Sequence, residues 1–203
     1  MKWTRIFISL FASCFLSIPI FSEAQEKGQD QRVEPALHQA RQMADQLAEK
    51  IRGILFQELE KGSFPGAVRA CSEVAQEVTR QFNSQPGHFI RRVSLKNRNP
   101  LNVPDGYERK KLEEFDRLQR EKNLAKEYFE IQKEGEGETL RYLKPLVALP
   151  LCLTCHGPVE KIPDPVKAIL KEKYPDDKAT GYQAGDVRGT ISVKIQLRSQ
   201  VDR

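Results

Sequence analysis

The sequence predicts an α+β fold, with helices first and a small, mostly antiparallel sheet after them. Three observations carry this. Apolar residues recur at helical spacing through residues 35–82. Later segments alternate apolar and polar residues, and two of them flank the turn Glu134-Gly135-Glu136-Gly137. Helices and strands occupy separate stretches, which argues against an alternating parallel fold. The helices are expected on one side of the sheet. With 203 residues, the chain can bury a core of its own in one domain.

The first segment reads as an export signal. Lys2 and Arg5 precede an apolar run over residues 6–21, and Ser22-Glu23-Ala24 offers small residues where a signal peptidase reads. Cleavage is expected after Ala24. The run is shorter than the ~20 residues that span a bilayer, so an uncleaved anchor is the weaker reading. Phe11-Ala12-Ser13-Cys14 loosely resembles a lipoprotein box, which offers lipid anchoring at Cys14 as an alternative. Residues 15–21 stay apolar, however, where a lipidated chain begins a polar tether. The expected location is therefore periplasmic or otherwise extracytoplasmic, with no stable membrane span after processing.

Residues 25–34 are polar and read as a frayed lead-in. A helix is expected from Pro35, with Leu37, Ala40, Ala44, Leu47, Ile51 and Ile54 as its apolar stripe and Gly62 as its end. Val68, Cys71, Ala75, Val78 and Phe82 mark a second helix, with Cys71 turned inward. Residues 89–95 read as a strand and residues 96–106 as a loop. A charged surface helix spans residues 108–123, with Leu112, Phe115 and Leu118 on one side. Strands follow at residues 128–132 and 139–147. A short helix over residues 164–174 is expected to be capped by Asp164. In residues 190–197 every odd position from Ile191 to Leu197 is apolar, the clearest strand in the chain. Residues 35–198 form the predicted domain, and residues 199–203 a tail.

Composition excludes several classes. Lys and Arg number 33, Asp and Glu 28, and the net charge of +5 is spread without a block of like charge, so no nucleic-acid footprint exists. Hydrophobic residues at 39% and charged residues at 30% fit neither disorder nor a multispanning membrane protein. Four cysteines are too few for a disulfide scaffold of this length.

Cys152-Leu153-Thr154-Cys155-His156 is the attachment pattern for haem c. Two thiols at this spacing reach the two vinyl groups of a porphyrin and form thioethers. The adjacent imidazole then serves as proximal iron ligand. One covalently attached haem c is the expected cofactor. A thioredoxin-like redox pair wants a helix running on from the motif, and Gly157-Pro158 interrupts it. A zinc site needs four ligands, with only Cys71, His38 and His88 left as strong donors to complete one.

The second axial ligand is open among Met43, His38, His88 and Cys71. The stripe places Met43 on the exposed side of the first helix and His38 beside the stripe, while His88 sits in a loop. Cys71 is the odd cysteine once Cys152 and Cys155 are consumed. In an oxidising compartment it must be buried and inert, paired with a second chain as a homodimer, or bound to iron. A thiolate ligand would lower the potential strongly relative to a Met-ligated haem. Haem propionates need cationic partners, for which Arg91, Arg92, Lys96 and Arg98 are candidates. Arg91 and Arg92 are adjacent on a strand, so only one can face the haem.

Three blocks converge on a family. They are residues 91–105 (RRVSLKNRNPLNVPD), residues 142–146 (YLKPL) with the Cys152–Gly157 motif, and residues 174–189 (YPDDKATGYQAGDVRG). The chain resembles the single-haem, c-type domains with a PAS-like fold, long catalogued as a domain of unknown function. These occur alone in cyanobacteria and other bacteria, and as extracytoplasmic sensor parts of signalling proteins. The resemblance covers roughly residues 35–198. It implies a PAS-like antiparallel sheet flanked by the N-terminal helices. It also implies one haem with His and Cys axial ligands, which by position are His156 and Cys71.

The expected function is an extracytoplasmic haem-binding sensor of redox state or of a small ligand, with a periplasmic electron-transfer cytochrome as the alternative. The sequence stops at Arg203, just after the last strand, so a separate redox or signalling protein is the expected partner. An enzyme such as a peroxidase needs an open iron position with an acid–base group beside it, and a bound Cys71 closes that position. No enzymatic activity is expected.

Overall fold

The computed structural model of the chain describes residues 21–197 apart from Gln85 and Glu136, with side chains from residue 31 onward. Residues 1–20, which hold most of the segment read as an export signal together with Cys14, and the tail lie outside the described residues. Among the described residues no helix is long and apolar enough to cross a membrane.

Strands β1 (His88–Val93), β2 (Tyr128–Glu134), β3 (Gly137–Val147) and β4 (Val187–Leu197) form one antiparallel sheet in the order β1-β4-β3-β2. Ile191, Val193, Ile195 and Leu197 are all buried and share one face, as their alternation requires. They pack with Ile90, Leu140 and Tyr142 of the neighbouring strands. The expected hairpin closes where Glu134 pairs with Gly137.

Helix α1 (Phe21–Glu60) covers that face with Leu37, Ala40, Ala44, Leu47 and Ile51. It corrects two expectations. The polar residues 25–34 are helical, and Pro35 lies inside the helix. Proline forfeits its own N–H bond, yet Val33 already packs on the core and holds the turn before it. Met43 is buried, not exposed, because the apolar stripe is wider than the minimal periodicity shows.

The second predicted helix is three pieces: α2 (Phe64–Arg69), a π turn (Ala70–Val74) and α3 (Ala75–Phe82). In the π turn the Ala75 N–H reaches back five residues to the Ala70 carbonyl. The added residue rotates the helix between its halves. Val68 packs against Ile162, Val166 and Leu170, while Ala75 and Val78 join the α1 core. Cys71 sits in this turn, the kind of distortion that recurs at functional sites.

The helices are not confined to one side. Helix α4 (Gly106–Arg120) packs Leu112 and Phe115 on the other face, against Val93, Leu143 and Val187. It opens with a reciprocal capping box between Asp105 and Glu108. Two short helices complete the chain, α5 (Leu153–His156) and α6 (Asp164–Lys173). Pro163, not Asp164, occupies the α6 cap position, and Asp164 instead pairs with Lys167 at 2.6 Å.

Candidate functional site

A cleft of about 630 Å³ opens between the C-terminal half of α1, the π turn, the ends of β1 and β4, and α5. Its apolar walls include Ile51, Leu55, Val68, Leu146 and Leu151. Cys71, Cys152, Cys155 and His156 all line it. The fold thus brings a residue of the helical layer to the pentapeptide some eighty positions later. Met43, His38 and His88 do not line this cleft. Met43 is core, His38 is exposed on α1, and His88 begins β1.

Helix α5 stops at once because Gly157 turns into extended backbone. A Cβ there would come within 2.7 Å of the Leu153 carbonyl oxygen, so the motif needs glycine at this step. The chain beyond is then stitched back. Gly181 N–H donates to the Gly157 carbonyl at 2.8 Å, and Tyr182 N–H to the His156 carbonyl at 2.9 Å.

These bonds fix the loop that orients the imidazole. His156 Nδ1 donates to the Ala179 carbonyl oxygen at 2.7 Å. Because a carbonyl only accepts, the proton resides on Nδ1 and Nε2 keeps its lone pair for a metal. Tyr182 meets the imidazole edge-on, with ring centroids 6.3 Å apart. Burial pushes the His156 pKa well below the ordinary histidine value, and the nearby Arg188 and Arg98 add to this. The ring is neutral, as a ligand must be. Burial likewise pushes the Cys155 thiol up to about 11. It also raises Cys71, against the pull of Arg92.

The four candidate cations separate. Arg91 faces the opposite side of the sheet, where its guanidinium grips the buried carboxylate of Glu108. That placement corrects any role for Arg91 inside the cleft. Lys96 is exposed; its Nζ donates to the Thr180 carbonyl at 3.3 Å and lies 4.8 Å from the Tyr182 ring centroid. Arg98 lines the cleft but is a staple. Its Nε donates to Asp177 at 3.0 Å, and its Nη2 to the carbonyls of Cys155 at 2.6 Å and Ala179 at 3.4 Å. Arg92 reaches the cleft and donates to the Cys71 carbonyl at 3.2 Å.

Sequence reasoning missed Arg188, which lines the cleft from β4 with its Nε buried and unpartnered among the described residues. It also missed Asp177 and Ala179, whose roles depend on a loop with no periodicity to read. All three lie in the third block of the resemblance, the signal that could have pointed to them.

These residues fit a haem. The cleft is within the size range of a cofactor site. Two thiols, an imidazole with a free Nε2 and a third thiol line apolar walls, and an orphaned guanidinium nitrogen awaits an acceptor. Among the described residues no three His, Cys, Asp or Glu side chains converge as a lone metal ion would need.

The profile of the Tll0287-like family matches residues 25–196. The chain belongs to the Tll0287-like family. Its structure is similar to the crystal structure of the cyanobacterial heme-protein Tll0287, with a TM-score of 0.61 and 27% identity. The match covers 82% of this chain and 98% of the other. No curated protein matches the chain. Membership places the resemblance read from three sequence blocks on a match that spans nearly all the described residues, including the α+β sheet and the α1 helix.

Proposed function

We propose that this protein carries one haem c and works outside the cytoplasm as a redox or ligand sensor, with a separate redox or signalling protein as partner. One observation carries the reading: Cys71, Cys152, Cys155 and His156 line a single apolar cleft. The likeness to a solved heme-protein at 27% identity supports it.

In this reading Cys152 and Cys155 hold the cofactor covalently. Their thiols would form thioethers with the two vinyl groups of the porphyrin, each S–H adding across one C=C with no net oxidation or reduction. His156 would give Nε2 to the iron, with its ring fixed by Ala179. Cys71 would give a thiolate from the π turn. When bound, the haem supplies a one-electron iron couple.

A thiolate favours the ferric state, which suits sensing better than high-potential electron carriage. With His156 and Cys71 both bound to the iron, no position would be left open for peroxidase chemistry, so the reading is non-enzymatic. A redox titration of the haem-loaded protein tests it. A midpoint far below zero supports the sensor, and a clearly positive midpoint supports the electron-transfer cytochrome instead. Carbon monoxide added to the reduced protein tests ligand exchange. An unchanged spectrum removes gas sensing by displacement of Cys71.

A further inference from the structure

Arg92 and Arg188 differ from the other arginines of the two sheet faces. Arg98 has Asp177 at 2.9 Å, Arg141 has Asp105 at 2.9 Å, and Arg91 has Glu108. Among the described residues neither Arg92 nor Arg188 pairs with a carboxylate. Both line the same cleft from neighbouring strands, since β1 and β4 pair with Arg92 opposite Ile191.

Their contacts hold them in place without neutralising them. Arg188 Nη1 donates to Ser94 Oγ at 2.9 Å and to the Lys96 carbonyl at 3.4 Å, while its Nε is buried with no acceptor. Arg92 donates through one Nη2 to the Cys71 carbonyl at 3.2 Å. Both side chains are half-buried on the wall of the same cleft. Two guanidiniums on one cleft wall, neither paired with a carboxylate and one with a buried Nε–H that has no acceptor, offer an anion both charge and a free donor.

We propose that Arg92 and Arg188 form the carboxylate-binding end of the cleft, one guanidinium for each of the two propionates of the haem. This rests on the haem reading above. Two cations match two carboxylates, and guanidinium is the donor suited to a planar carboxylate. It also sets the cofactor's orientation, with the propionate edge against β1 and β4 and the thioether edge at α5.

The test uses the haem-loaded protein with Arg92→Gln, Arg188→Gln and Arg188→Lys, and Arg91→Gln as a control on the opposite sheet face. Covalent haem in the denatured parent reports on the haem reading alone. Resonance Raman propionate bending bands and the midpoint potential report on the pair. Each Gln variant in the cleft is expected to shift a propionate band and lower the midpoint, because a cation that favours the reduced state is gone. Arg188→Lys, which keeps the charge, is expected to shift the band yet stay near the parent midpoint; it also serves if the Gln variant does not fold. Arg91→Gln is expected to leave the bands in place. Loaded Arg92→Gln and Arg188 variants with the parent's bands and midpoint would overturn the proposal and leave the pair holding some other anion. A parent with no haem would overturn both readings together.

Discussion

The Nδ1 atom of His156 lies 2.7 Å from the carbonyl oxygen of Ala179, a residue held in turn by Asp177. Asp177 Oδ1 accepts from the Ala179 N–H at 2.8 Å while Oδ2 accepts from Arg98. Both side chains are largely buried, at 12% and 10% exposure, so solvent does not replace these bonds. Asp177→Ala is expected to cost about 1–3 kcal/mol, the range for a charged hydrogen bond lost from a buried site. Urea unfolding checks it. A loss inside ~0.5 kcal/mol, as at an ordinary surface site, would mean the staple is idle.

Cys71→Ala addresses the proposed second axial ligand. The ferric optical and electron-paramagnetic-resonance spectra of the haem-loaded variant are expected to change, and the midpoint to rise, because the thiolate is lost. Spectra identical to the parent would return Cys71 to the role of an inert core thiol.

Far from the cleft, Glu108 is fully buried and serves both Arg91 and the α4 capping box. Glu108→Gln removes the negative charge and leaves Arg91 and the 4% exposed Arg141 short of a partner. Breaking a buried pair from one side costs about 3–5 kcal/mol, and the lower end applies because Asp105 still serves Arg141. The urea midpoint should fall with the slope unchanged. An unchanged midpoint would show that the network is dispensable.

The same network gives a pH dependence. Burial alone would raise the Asp105 pKa, but the Glu108 amide and the Arg141 guanidinium outweigh it and hold it below the ordinary value. A depressed carboxylate stabilises the fold above its unfolded pKa, near 3.9, and that stability is lost as pH falls through the lower folded value. Stability should therefore drop on acidification below about pH 4. Asp105→Asn should flatten that limb when unfolding is followed between neutral and strongly acid pH; an equally steep limb would assign the dependence elsewhere.

Much of this was legible in the residues. The α1 stripe, the alternation of β4 and the hairpin at Glu134–Gly137 follow from periodicity and turn chemistry alone. The spacing of Cys152, Cys155 and His156 singles out residues that the fold sets in one cleft. What escaped has physical causes. Periodicity sees the face of a helix but not an added residue in one turn, so the π turn under Cys71 read as plain helix. A strand's cations have a parity but no absolute face, so Arg91 and Arg92 could be separated only by the fold. The sparse apolar side of residues 108–123 marked a helix without saying which sheet face it covers. The loop of Asp177 and Ala179 acts through backbone groups, which every residue shares.

The central claim is covalent attachment of one haem at Cys152 and Cys155. The most direct measurement is the haem absorbance of the chain after denaturation and separation by size, purified from cells that assemble c-type cytochromes. The expected result is haem that migrates with the parent chain and is lost from the Cys152→Ala, Cys155→Ala double variant. Haem that separates from the denatured parent, or a parent chain without colour, would contradict the account.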